Sequence, residues 1–236
     1  MKIEILFPEV ANLSGDLMNI HYLKQCCDSL EIIETDLNTR PAFLDEEIAL
    51  VYMGTSAETG LKLAAESLRP YVEEILSKIQ AGQRFLLTGN AQEVFGNSIQ
   101  SDQDDPIEGL HILPIHAEYH MMNRHNSFYI GTFEDMKIVG FKSVFGHTFP
   151  DKECDALFHT LRGVGRSGGT EDEGYRLNNL FATSLTGPLL VLNPPFTKWL
   201  LNTLGVSDSL AHEEAAMEAY RIRVSEFSDE HRDPMY

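Results

Sequence analysis

The turn Thr88-Gly89-Asn90-Ala91 is the part of the chain whose residue types and position suggest chemistry. It joins a short apolar segment to a helical pattern, and a sharp strand-to-helix turn of this kind can hold a Ser or Cys nucleophile above a helix N-terminus. Here Gly89 occupies the apex. Two interpretations stay open: Gly89 lets a ligand approach the backbone, because glycine adopts positive φ without steric cost, or it only keeps a strained turn.

Cysteine offers no second centre for chemistry. Cys26 and Cys27 are adjacent and Cys154 is remote, an odd number in no ligand spacing. This pattern predicts neither a disulfide framework nor a zinc site, and it favours a reducing cytoplasm. We expect Cys26 and Cys27 to pack as small apolar residues of the first helix.

Histidines are dense in the middle of the chain, at His111, His116, His120 and His125. Their separations of five, four and five residues suit neither one strand face nor one helix face. We therefore expect a mixture of surface and buried histidines and no metal or other cofactor.

The first half of the chain alternates β-rich segments with helical patterns, which predicts βαβ units and a mostly parallel sheet. The predicted strands are Ile3 to Phe7, Glu31 to Thr35, Ile48 to Met53 and Arg84 to Thr88. Asp16 is predicted to cap the first helix, and an amphipathic helix through Leu68 and Ile79 is predicted to end at Gly82. In such a sheet, ligands bind at the carboxyl ends of the strands, where the turn at Gly89 lies.

Shorter strands and polar turns follow from about Asn97, which favours antiparallel pairing. The predicted strands are Leu110 to Ile115, Phe128 to Ile130, Ile138 to Phe141 and Asn179 to Leu185. The segment from Gly163 to Gly174 is predicted to be a flexible loop. No linker divides the chain, so we expect one domain over residues 1–236, with a charged, initially helical and largely solvated tail from about residue 212.

Composition excludes several classes of function. The 236 residues include 18 Lys and Arg against 36 Asp and Glu, a formal net charge of −18, which disfavours a nucleic-acid partner. No apolar stretch approaches the roughly 18 residues that span a bilayer, so no membrane segment is expected. The N-terminus resembles a strand rather than a signal peptide, so export is not expected either.

Three motifs give the chain a family resemblance. They are the segment from Asn12 to Ile20, Val139-Gly140-Phe141 with Gly146 and Thr148, and the segment from Asn179 to Leu190 followed by Asn193-Pro194. The chain resembles class I glutamine amidotransferases of the cobyric acid synthase type, most closely the glutaminase-like subunit of lipid II isoglutaminyl synthase. The resemblance implies a three-layer α/β/α fold with a mostly parallel central sheet and antiparallel additions in the second half.

The catalytic pair of that family is replaced in this chain. The family uses a Cys nucleophile at the elbow and a His base that makes its thiolate. The position matching the Cys is Gly89, or Thr88 if the match is shifted by one residue, and Thr186 stands where the family has the His. Thr88 or Ser184 would need a nearby base to act as a nucleophile, and the family's positions offer none.

Other positions of the glutamine pocket also depart from the family. One glycine, Gly54, remains where the family has a glycine run for the oxyanion hole, and Lys142-Ser143 stands in the place of Glu-Asn. The resemblance implies a vestigial pocket formed by Gly54, Thr55, Asn90, Ala91, Glu93, Lys142 and Ser143. For Glu93 the simpler alternative is a favourable charge near a helix N-terminus.

Three functional hypotheses follow from the resemblance. The first is a degenerate, non-catalytic binding or scaffolding subunit beside a Mur-ligase-like, ATP-dependent partner that takes ammonia from solution. The second is an active glutaminase subunit with a relocated nucleophile, which supplies ammonia to amidate the D-glutamate of lipid II or a cobyric-acid-like substrate. The third is a sensor that binds a small molecule in the vestigial pocket.

Overall fold

A six-stranded sheet forms the centre of the protein in a computed structural model that describes residues 1–167 and 171–235. Its strands are β1 (Lys2–Leu6), β2 (Glu31–Thr35), β3 (Leu50–Met53), β4 (Phe85–Leu87), β13 (Tyr175–Leu177) and β14 (Leu180–Ala182). They lie in the order β13-β14-β4-β3-β1-β2, and all neighbouring pairs are parallel except β13 with β14. The predicted parallel sheet is therefore confirmed.

Helices cover both faces of this sheet. They are α1 (Met18–Cys26), α2 (Glu58–Leu68), α3 (Val72–Gln80), α4 (Ala91–Val94), α5 (Leu189–Leu192), α6 (Pro194–Thr203) and α7 (Glu213–Ser228). Side chains of β3 alternate between two cores: Val51 and Met53 pack with α2 to α4, whereas Leu50 and Tyr52 pack with α1, α5 and α6. This alternation produces the expected three layers.

Two smaller sheets make up much of the second half. One contains β10 (Gly146–Pro150), β7 (Ile115–Tyr119), β5 (Ser98–Ser101) and β6 (Ile107–Glu108); the other contains β12 (Asp172–Glu173), β11 (Phe158–Arg162), β8 (His125–Phe133) and β9 (Met136–Val144). Their pairs are antiparallel except β5 with β7. The antiparallel additions are thus confirmed.

Three local predictions are corrected. The predicted strand from Leu110 to Ile115 is wrong, because backbone N–H groups there donate to carbonyls at the end of α4 and β7 begins only at Ile115. The single helix predicted through Leu68 and Ile79 is two helices, separated by a 3-10 turn that contains Pro70, which cannot donate a helical hydrogen bond. The predicted loop from Gly163 to Gly174 contains β12 (Asp172–Glu173), which pairs with β11, and its residues 168–170 lie outside the described residues.

The charged tail is not simply solvated. Phe227 of α7 stacks on Phe128 of β8 at a ring distance of 4.5 Å, and the Tyr220 hydroxyl donates to the Lys137 carbonyl at 2.8 Å. The Arg162 guanidinium donates to the main-chain carbonyls of Phe227 and Asp229. Tyr220 and Phe227 are two helical turns apart on one face, so the tail docks through an apolar stripe while its outer face carries the charges.

Among the described residues, no helix combines the length and the apolar character needed to cross a bilayer.

Candidate functional site

A cavity of about 210 Å³ opens at the carboxyl edge of the central sheet. Loops after β1, β3, β4 and β14 meet β7 of the first small sheet and the β8–β9 hairpin of the second there, as the switch-point rule for α/β sheets leads one to expect. Its lining residues are Leu13, Ser14, Thr55, Ser56, Ala57, Glu58, Gly89, Asn90, Tyr119, Arg124, Ser143, Val144, Phe145 and Thr186.

Gly89 forms the apex of the turn after β4, with a left-handed φ of +61°. A Cβ placed on Gly89 would overlap the Thr55 Oγ1 and come within 2.9 Å of the Thr55 Cβ, closer than real Cβ atoms approach. Thr55, which follows β3, therefore fills the space that a side chain at the apex would need. The left-handed residue of the turn is Gly89 and not Thr88, which supports Gly89 as the counterpart of the nucleophile.

The Asp16 carboxylate lies directly behind this apex. Its Oδ2 accepts hydrogen bonds from the Thr55 N–H at 2.9 Å, the Thr55 hydroxyl at 2.5 Å and the Thr88 hydroxyl at 3.0 Å. Burial raises the pKa of Asp16, and the hydrogen bonds from Thr55 and Thr88 oppose that rise. Asp16 was predicted to cap α1; Leu17 occupies the N-cap position instead, and the Asp16 side chain joins three loops of the site.

Tyr52 completes the hydrogen bonding of Thr88. The Tyr52 hydroxyl donates to the Asp16 carbonyl at 2.9 Å and lies 2.8 Å from the Thr88 Oγ1, and the Asn19 amide donates to it at 3.1 Å. Thr88, Tyr52 and Asn19 are fully buried. The Thr88 hydroxyl therefore belongs to the core beneath the turn rather than to the cavity surface.

Thr186 lines the cavity without a partner that would make it basic. Its hydroxyl donates to the Phe141 carbonyl at 3.2 Å, and the backbones of Thr186 and Phe141 form an isolated antiparallel bridge. A threonine hydroxyl does not accept a proton near neutral pH, so Thr186 cannot replace the imidazole base. The cysteines Cys26, Cys27 and Cys154 are absent from the cavity lining.

The Asn90 side chain connects the turn after β4 to the segment after β3 through two hydrogen bonds. Its Oδ1 accepts from the Ser56 N–H at 2.9 Å, and its Nδ2 donates to the Ser56 carbonyl at 2.8 Å. Gly54 lies behind this segment, where a Cβ would come within 3.0 Å of the Ala11 carbonyl and 3.1 Å of the Asp16 Cβ. Ala91 is fully buried in the apolar core.

Glu93 is buried behind one wall of the cavity. The Tyr119 hydroxyl, which belongs to a residue of that wall, donates to the Glu93 Oε2 at 2.7 Å. Burial raises the pKa of Glu93 to about 8, although the Tyr119 hydrogen bond opposes the rise. Glu93 does lie in the first turn of α4, as the helix-terminus alternative places it, but its side chain is buried and does not line the cavity.

Lys142 and Ser143 point to opposite sides of β9. Lys142 is buried away from the cavity, where its ammonium pairs with the Glu173 carboxylate at 2.7 Å. Burial alone would raise the pKa of Glu173, but the Lys142 charge and hydrogen bonds from Ser184 hold it below its ordinary value. Ser143 does line the cavity and donates to the Asn126 side chain at 2.6 Å.

The structure thus brings five of the sequence-predicted site residues to the cavity surface. These are Thr55, Gly89, Asn90, Ser143 and Thr186, whereas Gly54, Thr88, Ala91, Glu93 and Lys142 lie behind it. Sequence reasoning missed Glu58, Tyr119, Arg124 and Phe145. Glu58 could have been found, because it follows β3 at the predicted carboxyl edge, and so could Phe145, which lies next to Gly146 of the second motif. Tyr119 of β7 and Arg124, just before β8, could not, because no motif covers them.

The four dense histidines have separate partners. His116 bonds to Asp151 at 2.6 Å and His111 contacts Asn97 at 3.2 Å. The His120 ring lies 3.8 Å from the Asp102 carboxylate, and the His125 ring lies 5.7 Å from that of His147. Over residues 1–167 and 171–235, no three His, Cys, Asp or Glu side chains are arranged to hold a metal ion.

We predict that Gly89→Ala destabilises the protein by roughly 2–4 kcal/mol, because the left-handed backbone and the overlap with Thr55 both oppose a methyl group. In the Thr55→Gly background the overlap is relieved, so the two substitutions should couple by about 1 kcal/mol or more in urea denaturation. Gly205→Ala is the matched control: its φ is +73° and a Cβ there meets no atom within 4 Å. Additive effects at Gly89 and Thr55 would contradict the overlap.

A second prediction concerns pH. Folded Glu93, with a pKa of about 8, keeps its proton where the unfolded chain, near the ordinary value of 4.5, loses it. Its contribution to stability therefore falls as pH rises from about 4.5 to 8, by up to about 1.4 kcal/mol per pH unit. Glu93→Gln should remove this loss, so its melting temperature relative to wild type should increase between pH 5 and pH 8. The exposed control Glu66→Gln should show no such trend, and a constant difference for Glu93→Gln would refute the assignment.

Comparison with known proteins identifies a relative by sequence similarity and several solved structures with a similar fold. No family model matches the chain. The chain is 25% identical over 192 residues to the "lipid II isoglutaminyl synthase (glutamine-hydrolyzing) subunit GatD" of Staphylococcus aureus (strain N315), a match that covers 80% of this chain and 78% of the relative.

Solved structures of glutamine amidotransferases share the fold. One is 14% identical with a TM-score of 0.57, covering 86% of this chain and 99% of that one. Another, from Thermotoga maritima, is 10% identical with a TM-score of 0.54, covering 95% and 94%. At such identities the likeness concerns the fold alone. The chain is thus homologous to GatD and glutamine amidotransferase-like in its three-layer α/β fold.

Proposed function

We propose that this chain is a glutamine amidotransferase-like subunit that does not hydrolyse glutamine and serves as a binding or scaffolding partner of an ATP-dependent, amide-forming ligase. One observation carries the proposal: the Thr55 side chain, bonded to Asp16, fills the space in which a nucleophile at position 89 would have to stand. Covalent glutaminase chemistry needs a thiolate at that point and a base beside it. Gly89 and Thr186 supply neither.

The ligase partner is inferred from similarity. The relative from Staphylococcus aureus is a subunit of a glutamine-hydrolyzing lipid II isoglutaminyl synthase, which supports an assembly with a synthase for this chain. A Mur-ligase-like partner that activates a carboxylate, such as the D-glutamate of lipid II, would take ammonia from solution. The cytoplasm, which supplies ATP, is the compartment that we propose.

An active glutaminase with a relocated nucleophile is the second candidate, and one contact favours it. The Thr55 hydroxyl lines the cavity and donates to the Asp16 carboxylate at 2.5 Å. In that mechanism the Thr55 oxygen would attack the carboxamide carbon, Asp16 would take the hydroxyl proton and pass it to the departing ammonia, and water would hydrolyse the ester. The family's imidazole base is absent, so we rank this candidate second.

The proposal predicts ammonia release from glutamine no faster than in a blank, both for the pure protein and for its complex with the ligase. In the complex, amide formation should proceed with ammonium chloride but not with glutamine as the nitrogen source. It should also be faster than with the ligase alone. Both reactions can be measured by coupled ammonia and phosphate assays.

The matched variants are Thr55→Gly/Gly89→Cys/Thr186→His and the same triple variant with Gly89→Ser. Thr55→Gly is included because Thr55 would otherwise overlap the new side chain. Slow glutamine turnover by the Cys variant alone would show that the scaffold keeps the amidotransferase geometry. Turnover by wild type would overturn the non-catalytic assignment, and a ligase indifferent to this chain would overturn the scaffolding role.

A further inference from the structure

Four hydroxyl groups of the cavity lining, those of Thr55, Ser56, Ser143 and Thr186, share one property: their hydrogens are directed to protein acceptors. The bonds run from Thr55 to the Asp16 carboxylate at 2.5 Å, from Ser56 to the Val10 carbonyl at 2.9 Å, from Ser143 to the Asn126 amide oxygen at 2.6 Å and from Thr186 to the Phe141 carbonyl at 3.2 Å. A hydroxyl has one hydrogen and two lone pairs. Toward a ligand, each of these groups can therefore only accept.

Thr55 is the most firmly fixed of these acceptors. The Asp16 Oδ2 accepts the hydrogen of the Thr55 hydroxyl and also accepts from the Thr55 N–H and the Thr88 hydroxyl. Because three donors converge on this oxygen, Oδ2 is the acceptor in each of these bonds. The direction of the Thr55 hydroxyl bond is thereby set. Its oxygen lies over Gly89, in the place of the missing nucleophile, with its lone pairs available.

Charge on the same side of the cavity is negative. Glu58 lines the cavity in the first turn of α2, where its carboxylate offsets the positive end of the helix dipole. The cation in the cavity lining, Arg124, is exposed at the rim, and its guanidinium carbon lies 5.2 Å from the centroid of the Phe145 ring. The chain as a whole carries a net charge of −18, which attracts cations.

From these contacts we infer that the cavity binds a small molecule through a primary ammonium group, held by the Thr55 oxygen and the Glu58 carboxylate. An ammonium carries three N–H donors and a positive charge, which match oxygens that only accept and a carboxylate beside them. Val144 and Phe145 give an apolar wall for a short carbon chain, and Arg124 lies at the rim for an anionic group at its other end. This inference rests on the proposed function, since it names the class of ligand that the cavity binds in a protein that does not hydrolyse glutamine.

The ammonium group has two sources, an ammonium ion or small amine and the amino group of a free amino acid. Isothermal titration of the intact protein with ammonium chloride, propylammonium chloride and glycine separates them. Potassium chloride and tetramethylammonium chloride serve as cations without N–H donors. We expect saturable binding of at least one ammonium compound and no binding of either control salt. If glycine binds and Arg124→Gln weakens that binding, the ammonium group belongs to an amino acid.

The variants test the two named groups. Thr55→Val keeps the shape and removes the acceptor, and Glu58→Gln removes the charge at a half-exposed position; each should weaken binding about tenfold or more, because a hydrogen bond to a charged group is lost. Thr55→Ser keeps the hydroxyl and should bind more tightly than Thr55→Val. Thr203→Val removes a hydroxyl on α6 outside the cavity lining and should bind like wild type. A melting curve for each variant shows that it is folded.

Equal binding of potassium and ammonium compounds, or affinity unchanged in both Thr55→Val and Glu58→Gln, would overturn the inference. No binding of any ammonium compound would overturn the inference as well. In that case the proposed function would still stand if the protein releases no ammonia from glutamine and stimulates its ligase. Glutamine turnover by wild type, in contrast, would overturn the proposed function whatever the titrations show.

Discussion

The geometry of the site depends on the hydrogen bonds that the buried Asp16 carboxylate accepts. This carboxylate lies at the junction of the loops after β1, β3 and β4, and one of its oxygens accepts three hydrogen bonds from Thr55 and Thr88. A buried carboxylate needs such partners, since desolvation without them costs several kcal/mol. Asp16 thus orients Thr55 over Gly89, and this orientation decides which side chains the elbow can carry.

The proposed loss of catalysis and the proposed binding role rest on the same arrangement. The glycine at position 89 has no Cβ, and the Thr55 side chain occupies the space where one would project. With its hydrogen directed to Asp16, the Thr55 oxygen presents lone pairs in the place where a thiolate would attack. We therefore propose that the turn offers a ligand a hydrogen-bond acceptor in place of a nucleophile.

Local patterns predicted much of the fold, because strands β1 to β4 are specified by short apolar segments and the turns that follow them. The motifs around Asp16 and Thr186 likewise indicated which loops meet at the carboxyl edge. The overlap of Thr55 with position 89 could not be predicted, since it depends on distances between two loops that are 34 residues apart in the chain. The burial of Glu93 under Tyr119 and the docking of Phe227 on β8 depend in the same way on how the smaller sheets pack.

Intact-mass and peptide-mapping spectrometry after incubation with a diazoketone analogue of glutamine would test the central claim most directly, because such a reagent alkylates an activated nucleophile in a glutamine site. We expect the wild-type chain to remain unmodified and the variant Thr55→Gly/Gly89→Cys/Thr186→His to carry a single adduct at the introduced thiol. An adduct on Thr55 of the wild-type protein would contradict this expectation, because the Thr55 hydroxyl would then be a nucleophile and Asp16 its base.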